Sequence, residues 1–313
     1  MIFFINVIYN MSKIKKVQTL NINVSTVHWI SGTNRYRYNF PAPLDLRGKN
    51  AKLMMYQYSM NNIIFNITQK LGNNKISIIW PRLNGYTTYN YTIPDGYYSF
   101  EDLNTFLQYC MTRDKLYLVN STNASDVKWF LQITTNAPQQ VSQIDSTPLP
   151  TTLPTGYVIP LNSAGTAPAW SLSTVSRYPQ LILNDLLAYD IFGFTTQRTF
   201  PSSNVPLSTG LVSSTISNKT PNLNPTICYL LTCNMVDAKL SPIPNLFFSI
   251  PINNPYGKIL SGTVGTTGTG ISVIETIYNY IEFSLLDMNY NTFVPIDPAI
   301  SLTVIVEISD EEK

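Results

Sequence analysis

Few residues of this sequence could do chemistry, and those few are widely spaced. His28 is the only histidine, so a Ser-His-Asp or Cys-His catalytic site would have to be built around it. It lies in the apolar run Val27-His28-Trp29-Ile30, which favours a partly buried structural ring. A single histidine also argues against the multi-histidine sites that hold zinc or iron. We therefore predict no catalytic residue and no metal site.

The three cysteines, Cys110, Cys228 and Cys233, are odd in number and sparse. That pattern argues against a disulfide scaffold and favours assembly in a reducing compartment. Cys228 and Cys233 are five residues apart in an apolar strand pattern, so they would lie on opposite faces of a strand. We predict small apolar side chains there rather than metal ligands.

The densest acidic cluster before the C-terminal tail is Asp95 with Glu101 and Asp102. A glycosidase would need two such carboxylates facing each other across a cleft. However, Ser99 followed by Asp102 three residues later resembles a capping box at the start of a helix. The local pattern therefore predicts a capping role, and an acid/base pair remains the alternative.

Four glycines, Gly262, Gly265, Gly268 and Gly270, superficially resemble a phosphate-binding loop. Such a loop requires a helix N-terminus directly after the glycines. The residues that follow alternate like a strand, and no Gly-Lys-Ser/Thr is present. The pattern predicts a hairpin loop, and we predict no cofactor.

Twenty tyrosines and four tryptophans raise the alternative of a glycan-binding, lectin-like β-sandwich. That function would require Tyr157, Trp170 and Tyr178 to share one exposed face. The other interpretation is that tyrosine, being amphipathic, suits both sandwich surfaces and subunit interfaces.

One segment changes sharply from strand to helix periodicity. Tyr89, Tyr91 and Ile93 alternate with polar residues, and Pro94-Asp95-Gly96 then supplies a turn. The spacing of the apolar residues that follow predicts a short helix with one buried face, formed by Phe100, Leu103, Leu107, Cys110 and Met111.

Most of the remaining sequence consists of short strand patterns separated by Pro, Gly and Asn turns. The predicted strands lie near residues 17–24, 51–60, 75–80, 86–93, 115–120, 127–135, 226–234, 245–250, 271–286 and 301–309. In the last two, one face is formed by Ile277, Ile281, Phe283 and Leu285, and by Leu302, Val304, Val306 and Ile308. Alternation without crossover helices predicts an antiparallel sandwich, and numerous strands with long loops favour a jelly roll.

The composition of this 313-residue chain limits which kinds of partner it is expected to bind. Only 12% of the residues are charged and the formal net charge is +2, with only the short basic cluster Lys13-Ile14-Lys15-Lys16. Nucleic-acid binding is therefore not expected. No apolar run is long enough to span a bilayer. The stretch before Met11 lacks the features of a signal peptide, and we expect Met11 rather than Met1 to be the true start.

Several segments resemble the penton (minor capsid) proteins of virophages and polinton-like viruses. They are IPDGYYSFEDLNTFLQYCM, LYLVN, VKWFLQI, LLAYDIFGFTTQRTFPSS, CYLLTCNMVDAKLSPIPNLFFSIPINNPYGKIL and IYNYIEFSLLDMNYNTFVPIDPAISLTVIVEI, in that order from about residue 50 to residue 308. The Pro/Thr-rich residues 137–178 have no counterpart in the resemblance. The resemblance implies a single jelly-roll subunit that forms pentamers at icosahedral fivefold vertices.

The resulting expectation is an all-β fold: a single jelly-roll antiparallel sandwich with one short helix and a Pro/Ser/Thr-rich insertion. We predict an N-terminal extension or arm at 1–16, the first half of the jelly roll at 17–136, the insertion with long crossing loops at 137–225, and the second half at 226–313. Prolines at six positions between 138 and 168 indicate that 137–178 does not extend the sheet. We expect that segment at the outer end of the barrel, with 140–175 replaceable by a linker.

The expected function is that of a non-enzymatic capsid protein of the virion. The expected partners are further copies in a homopentamer, the major capsid protein, and a host surface or glycan contacted by the insertion. Assembly is expected in the host cytoplasm or a virus factory.

Overall fold

The computed structural model describes residues 17–206, 210–224, 226–236, 241–243, 245–264, 270–293 and 297–310. The chain divides into two compact units. The two ends of the chain, up to Ile64 and from Thr226, form the first unit, and Phe65–Pro225 forms the second. The predicted arm at 1–16 lies outside the described residues.

The strands are numbered in chain order. The first unit begins with β1 (Val17–Ser25), a 3₁₀ turn (Thr26–His28), β2 (Arg35–Asp45) and β3 (Lys49–Asn61). The second unit contains β4 (Lys75–Arg82), β5 (Gly85–Thr92), α1 (Phe100–Arg113), β6 (Leu118–Asn120), β7 (Val127–Lys128), β8 (Leu131–Asn136), a 3₁₀ turn (Ala137–Gln139), β9 (Val141–Ser146), β10 (Tyr157–Val158), β11 (Gln180–Leu183), a π-helical turn (Leu187–Phe192), β12 (Thr199–Phe200) and β13 (Ser213–Ile216). The first unit then resumes with β14 (Cys228–Cys233), β15 (Leu246–Pro251), β16 (Ile259–Thr263), β17 (Ile271–Ser272), β18 (Ile277–Leu286) and β19 (Ile300–Asp310).

The first unit is a jelly roll. One sheet has the order β1-β19-β3-β16, with β17 also paired to β3, and the other has the order β15-β14-β18-β2. With β17 set aside, the strands counted along the chain give the sheet orders 1-8-3-6 and 5-4-7-2, which is the double Greek key of a jelly roll. All the named pairings in these two sheets are antiparallel. The predicted fold class is confirmed.

The core of the jelly roll follows the alternation of its strands. In β19, Leu302, Val304 and Val306 are buried as predicted. In β18, Ile281, Phe283 and Leu285 are also buried.

The prediction for the start of β18 is wrong. Ile277 is 43% exposed whereas Tyr278 is 7% exposed. The pairing of β18 with β2 shifts register between Tyr278 and Tyr280. An extra residue at such a bulge reverses the face of every side chain on one side of it.

Strand β2 is absent from the predicted strands, and its position explains why. It contains Pro41 and Pro43, which ordinarily argue against a strand. Among the named strands of the described residues it pairs with β18, and it lies at the edge of its sheet. Pro41 and Pro43 fall where the register with β18 shifts, between the paired residues Asn39 and Leu44, so neither proline removes a ladder hydrogen bond.

The second unit has its own core, formed between the helix and small sheets. Its sheets have the orders β12-β11-β4-β5, β13-β9-β8 and β10-β6-β7. Side chains from α1, the π-helical turn and the first two sheets meet in one cluster that includes Leu107, Phe192, Ile78, Leu181 and Ile144. Nothing in the sequence periodicity marks this unit as separate from the jelly roll.

Helix α1 is confirmed with the predicted buried face, Phe100, Leu103, Leu107, Cys110 and Met111. Ser99 and Asp102 form the predicted capping box. The Ser99 Oγ accepts from the Asp102 backbone N–H at 3.1 Å, and the Ser99 N–H donates to the Asp102 carboxylate at 2.9 Å. Two backbone donors at the helix N-terminus are thereby satisfied.

The predicted boundary at 136/137 differs from the observed one. Residues 65–136 do not form part of the jelly roll's first half, because their strands pair within the second unit. The insertion is Phe65–Pro225, between β3 and β14.

The prediction that 137–178 lies outside the sheets is also wrong. Strand β9 is the middle strand of its sheet, paired on both sides by β8 and β13. Ser142 and Ser146 are buried there because their hydroxyls donate to the carbonyls of Phe192 and Pro179, both at 2.7 Å. Because serines occupy buried positions of β9, the alternation of apolar residues does not identify it as a core strand.

Candidate interaction surfaces

The acidic cluster predicted as a capping site is used by the local backbone. The Asp102 carboxylate accepts from the backbone N–H and the hydroxyl of Ser99, and these bonds lower its pKa. Asp95 accepts from the backbone N–H of Gln69 at 2.7 Å. Glu101 is exposed in the first turn of α1. The structure therefore gives two of these carboxylates structural hydrogen bonds.

His28 and the cysteines also have structural surroundings. The His28 Nδ1 accepts from the Ser25 backbone N–H at 3.1 Å, and its ring lies 5.2 Å from that of Tyr38. Burial raises the pKa of Cys110 to about 11 and that of Cys233 to about 12. Both thiols are therefore protonated near neutral pH and are poor nucleophiles.

Within the described ranges, no three His, Cys, Asp or Glu side chains are grouped so that they could hold a metal ion. Of the four glycines, Gly262 lies in β16 and Gly270 directly precedes β17, whereas Gly265 and Gly268 fall outside the described residues. Among the described residues, no helix is long and apolar enough to cross a membrane.

The aromatic face required for the lectin hypothesis does not form. Trp170 and Tyr178 are only 2% and 4% exposed, and Tyr157 is half-buried. The Trp170 indole N–H donates to the Lys115 carbonyl at 2.9 Å, and the Tyr178 hydroxyl donates to the Leu211 carbonyl. These rings stabilise the core of the second unit and offer no shared platform to a sugar.

The outer face of the first jelly-roll sheet carries an uncharged polar band. Across β1, β19, β3 and β16 the cross-strand partners Asn23, Thr303, Gln57 and Thr263 form one row. Ser25, Ser301, Ser59 and Ser261 form the next row. We call these two rows, together with Asn21, the polar band. Uncharged side chains are cheaper to desolvate than Lys or Glu, and charged residues are depleted at the centres of protein interfaces, so the lack of charge in this band is compatible with contact with another protein.

The outer face of the second sheet carries a cluster of charged side chains. Glu282 on β18 accepts from Nε and Nη2 of Arg37 on β2 at 2.8 and 2.6 Å, and Arg35 Nη1 lies 3.7 Å away. The Arg37 guanidinium also lies 4.4 Å from the centre of the Tyr280 ring. Two guanidiniums share one carboxylate, so this arginine cluster, Arg35, Arg37 and Glu282, has a net positive charge. The Arg-x-Arg spacing in β2 is its only signal in the sequence, and it is absent from the predicted sites.

Two shallow depressions lie among the described residues of the second unit. One has a volume of about 430 Å³ and lies between the N-terminus of α1 and the loop of Pro221 and Asn222. The other has a volume of about 460 Å³ and is lined by Arg82, Trp170 and their neighbours. No sequence pattern distinguishes Arg82 from the other arginines.

Comparison with known proteins gives structural similarity only. No protein-family model matches the chain, and no curated protein matches it. Among solved structures, the mavirus penton protein is similar over 95% of this chain and 100% of its own, with a TM-score of 0.47 and 10% identity. A chain of the Sputnik virophage, solved by cryo-EM, is similar over 93% of this chain and 98% of its own, with a TM-score of 0.39 and 10% identity.

Proposed function

We propose that this chain is a structural capsid protein: a penton subunit that forms homopentamers at the fivefold vertices of a virion. The observation that carries the proposal is a complete jelly roll whose two sheets present different outer faces. The order of the penton-like segments in the sequence supports it. The proposal includes no enzymatic activity.

A closed ring requires each subunit to use two different surfaces, one for each neighbour. The polar band on the first sheet and the arginine cluster on the second are two such surfaces on one compact unit. In the proposed ring the polar band is buried against the next copy. Its hydroxyl and amide groups would form interfacial hydrogen bonds, as Thr303 already does with Asn23 at 2.6 Å.

The second unit would add a separate role. An insertion between two strands of a jelly roll can vary without altering the sheets that form the ring, since loops carry recognition while a scaffold carries stability. We propose that Phe65–Pro225 contacts a host surface, and that the remaining surface of the jelly roll contacts the major capsid protein.

The oligomeric state of the purified full chain tests the proposal. Native mass spectrometry should give five times the 35.3 kDa of one chain. Asn21→Arg places an exposed charge within the polar band and should yield monomers with an unchanged melting temperature. Gln69→Arg, an equally exposed change in the second unit, should leave the pentamer intact.

A wild-type chain that stays monomeric at all concentrations would contradict the pentamer. Its absence from purified particles would contradict the capsid role. If Asn21→Arg still forms pentamers, the ring does not bury the polar band.

A further inference from the structure

Two buried nitrogen atoms on strand β4 have no hydrogen-bond partner. Within the described part of the chain, Trp80 Nε1 and Arg82 Nε are the buried side-chain nitrogen or oxygen atoms of this kind. The two residues are two positions apart in a strand and therefore share a face. Both atoms are N–H donors, so what they lack is an acceptor.

The guanidinium of Arg82 is also without an acidic partner. It donates from Nη2 to the Tyr89 hydroxyl and from Nη1 to the Ala169 carbonyl at 3.4 Å, which leaves the other N–H groups unused. Most arginines of the chain contact a carboxylate: Arg35, Arg37, Arg47, Arg113 and Arg198. Among the described residues, Arg82 and Arg177 have no such contact.

Arg82 lines the 460 Å³ depression of the second unit. The rest of the lining is mainly apolar: Ile159, Pro168, Ala169, Trp170, Ser171 and Leu172. The Trp170 ring packs edge-on against the Trp80 ring, with centroids 5.2 Å apart. A cation without an anion therefore lies at the wall of an apolar depression. Its own Nε is one of the two unsatisfied donors, and Trp80, which carries the other, packs against the Trp170 that lines the depression.

We propose that this depression binds a carboxylate attached to an apolar or planar group. The planar fork of a guanidinium matches the two oxygens of a carboxylate, and the apolar wall takes the body of the ligand. The Arg82–Ala169 bond is longer than the usual 2.7–3.2 Å, so the guanidinium can leave it at little cost. Tyr89 continues to hold Nη2 while Nε turns towards the ligand. The site is independent of the proposed capsid role.

Isothermal titration calorimetry of the full-length protein tests the site, with benzoate as the probe and benzamide as its neutral analogue. Benzoate should bind saturably, and at least about tenfold more tightly than benzamide, because only the acid can accept from the guanidinium with a full charge. Cyclohexanecarboxylate and cyclohexanecarboxamide form a second pair that reports on apolar acids whose ring is not planar. Binding of either acid with failure of its neutral analogue supports the proposal and identifies the class of ligand.

The matched variants are Arg82→Gln and Arg177→Gln, which remove the same charge from the same unit. Arg82→Gln should abolish acid binding, and Arg177→Gln should retain it, with both melting temperatures compared to that of the wild type. If Arg82→Gln does not fold, Arg82→Lys keeps the charge without the fork and should weaken binding several-fold. The proposal is overturned if neither acid binds saturably, if the neutral analogues bind equally well, or if Arg177→Gln loses binding to the same extent.

Discussion

The jelly roll and the insertion differ in the kind of segment that fills each core. In the jelly roll, β3 and β19 are strands of 13 and 11 residues that mostly alternate between core and solvent, with an interruption where their pairing shifts register. In the insertion, a helix, a π-helical turn and strands of two to eight residues contribute to the interior. The jelly roll is formed from two distant segments of the chain, whereas the insertion is one continuous segment.

Whether a unit is formed from one continuous segment is therefore a separate property from how regularly its apolar residues alternate. The discontinuous unit has the clearer pattern because extended sheets impose a period of two. The continuous unit relies on residues whose burial depends on particular hydrogen bonds, such as Ser142 and Trp170. Changes made in one unit at a time measure how independent the two units are.

Replacing 140–175 with a short Gly/Ser linker should have the greatest effect. This removes Ile144, Leu149 and Trp170, all at most 2% exposed, from the core of the second unit. We expect that unit to unfold, with rapid limited proteolysis between residues 65 and 225. A protease-resistant product would show that its core does not need β9.

The matched deletion replaces the whole of 65–225 with a similar linker. The Tyr229 hydroxyl of β14 accepts from the backbone N–H groups of Ile63 and Ile64, so the segment that leads into the insertion is held to β14 within the jelly roll. We expect this protein to remain soluble with a cooperative melting transition. Loss of folding here would show that the jelly roll depends on the insertion.

Leu107→Asp places a charge at a fully buried position of α1. An unpaired buried charge costs more than about 4 kcal/mol of unfolding free energy, so the second unit should not fold. Tyr109→Asp is the control, since Tyr109 on the same helix is 61% exposed and its loss should change stability by less than about 0.5 kcal/mol. Urea denaturation followed by circular dichroism measures both.

Tyr229→Phe tests the contact at the edge of the insertion. The hydroxyl accepts from the N–H groups of Ile63 and Ile64 at 3.0 and 3.1 Å and donates to Asn62 at 2.8 Å. Its loss leaves buried donors unsatisfied and should cost about 2–4 kcal/mol. Tyr278→Phe, which loses only one bond to the Ile274 carbonyl, should cost about 1 kcal/mol. Equal effects in urea denaturation would contradict this account.

Alkaline pH should destabilise the jelly roll. Burial raises the pKa of Tyr229 and of Tyr278 from 10.0 to about 12. Between pH 10 and 12 the unfolded chain loses these protons while the folded chain keeps them. The two phenols therefore make their full contribution to the free energy of unfolding below pH 10, and that contribution is lost as the pH rises towards 12. Denaturation midpoints measured from about pH 8 to about pH 11.5 should show this decline, and Tyr278→Phe should make it shallower. A flat profile would show that the phenols ionise without unfolding.

A still smaller effect is expected at the cap of α1. Ser99→Ala removes the acceptor for the Asp102 N–H and should cost about 1 kcal/mol. Ser99→Asp, which can still cap, should cost less. Thermal denaturation of the two variants side by side distinguishes a capping role from a general effect of changing this residue.

Several features of the molecule follow from local sequence. The capping pair Ser99 and Asp102, the apolar spacing in α1 and the alternation in β19 each depend on residues within one element. Their physical causes act over a few residues, so the sequence alone predicts them. The uncharged character of the polar band also follows from composition, although its arrangement as a band does not.

Other features required the tertiary structure. The bulge between Tyr278 and Tyr280 depends on the register with β2, more than two hundred residues away in sequence. The prolines of β2 are tolerated because the fold places the strand at an edge and leaves Pro41 and Pro43 in an unpaired irregularity of its ladder. Arg82 lacks an acidic partner because the fold places no carboxylate of the described residues beside it, and no sequence pattern predicts which side chains surround Arg82.

Local sequence thus specifies an all-β chain with one capped helix and apolar strands suited to a sandwich. The folded chain adds that Phe65–Pro225 is a separate unit, that Trp170 and Tyr178 belong to its core, and that Arg82 lies beside an apolar depression. The physical reason is range. Periodicity, capping and turn preferences act between neighbours in the chain, whereas unit boundaries, burial and unpaired charges depend on segments that meet only when the chain folds.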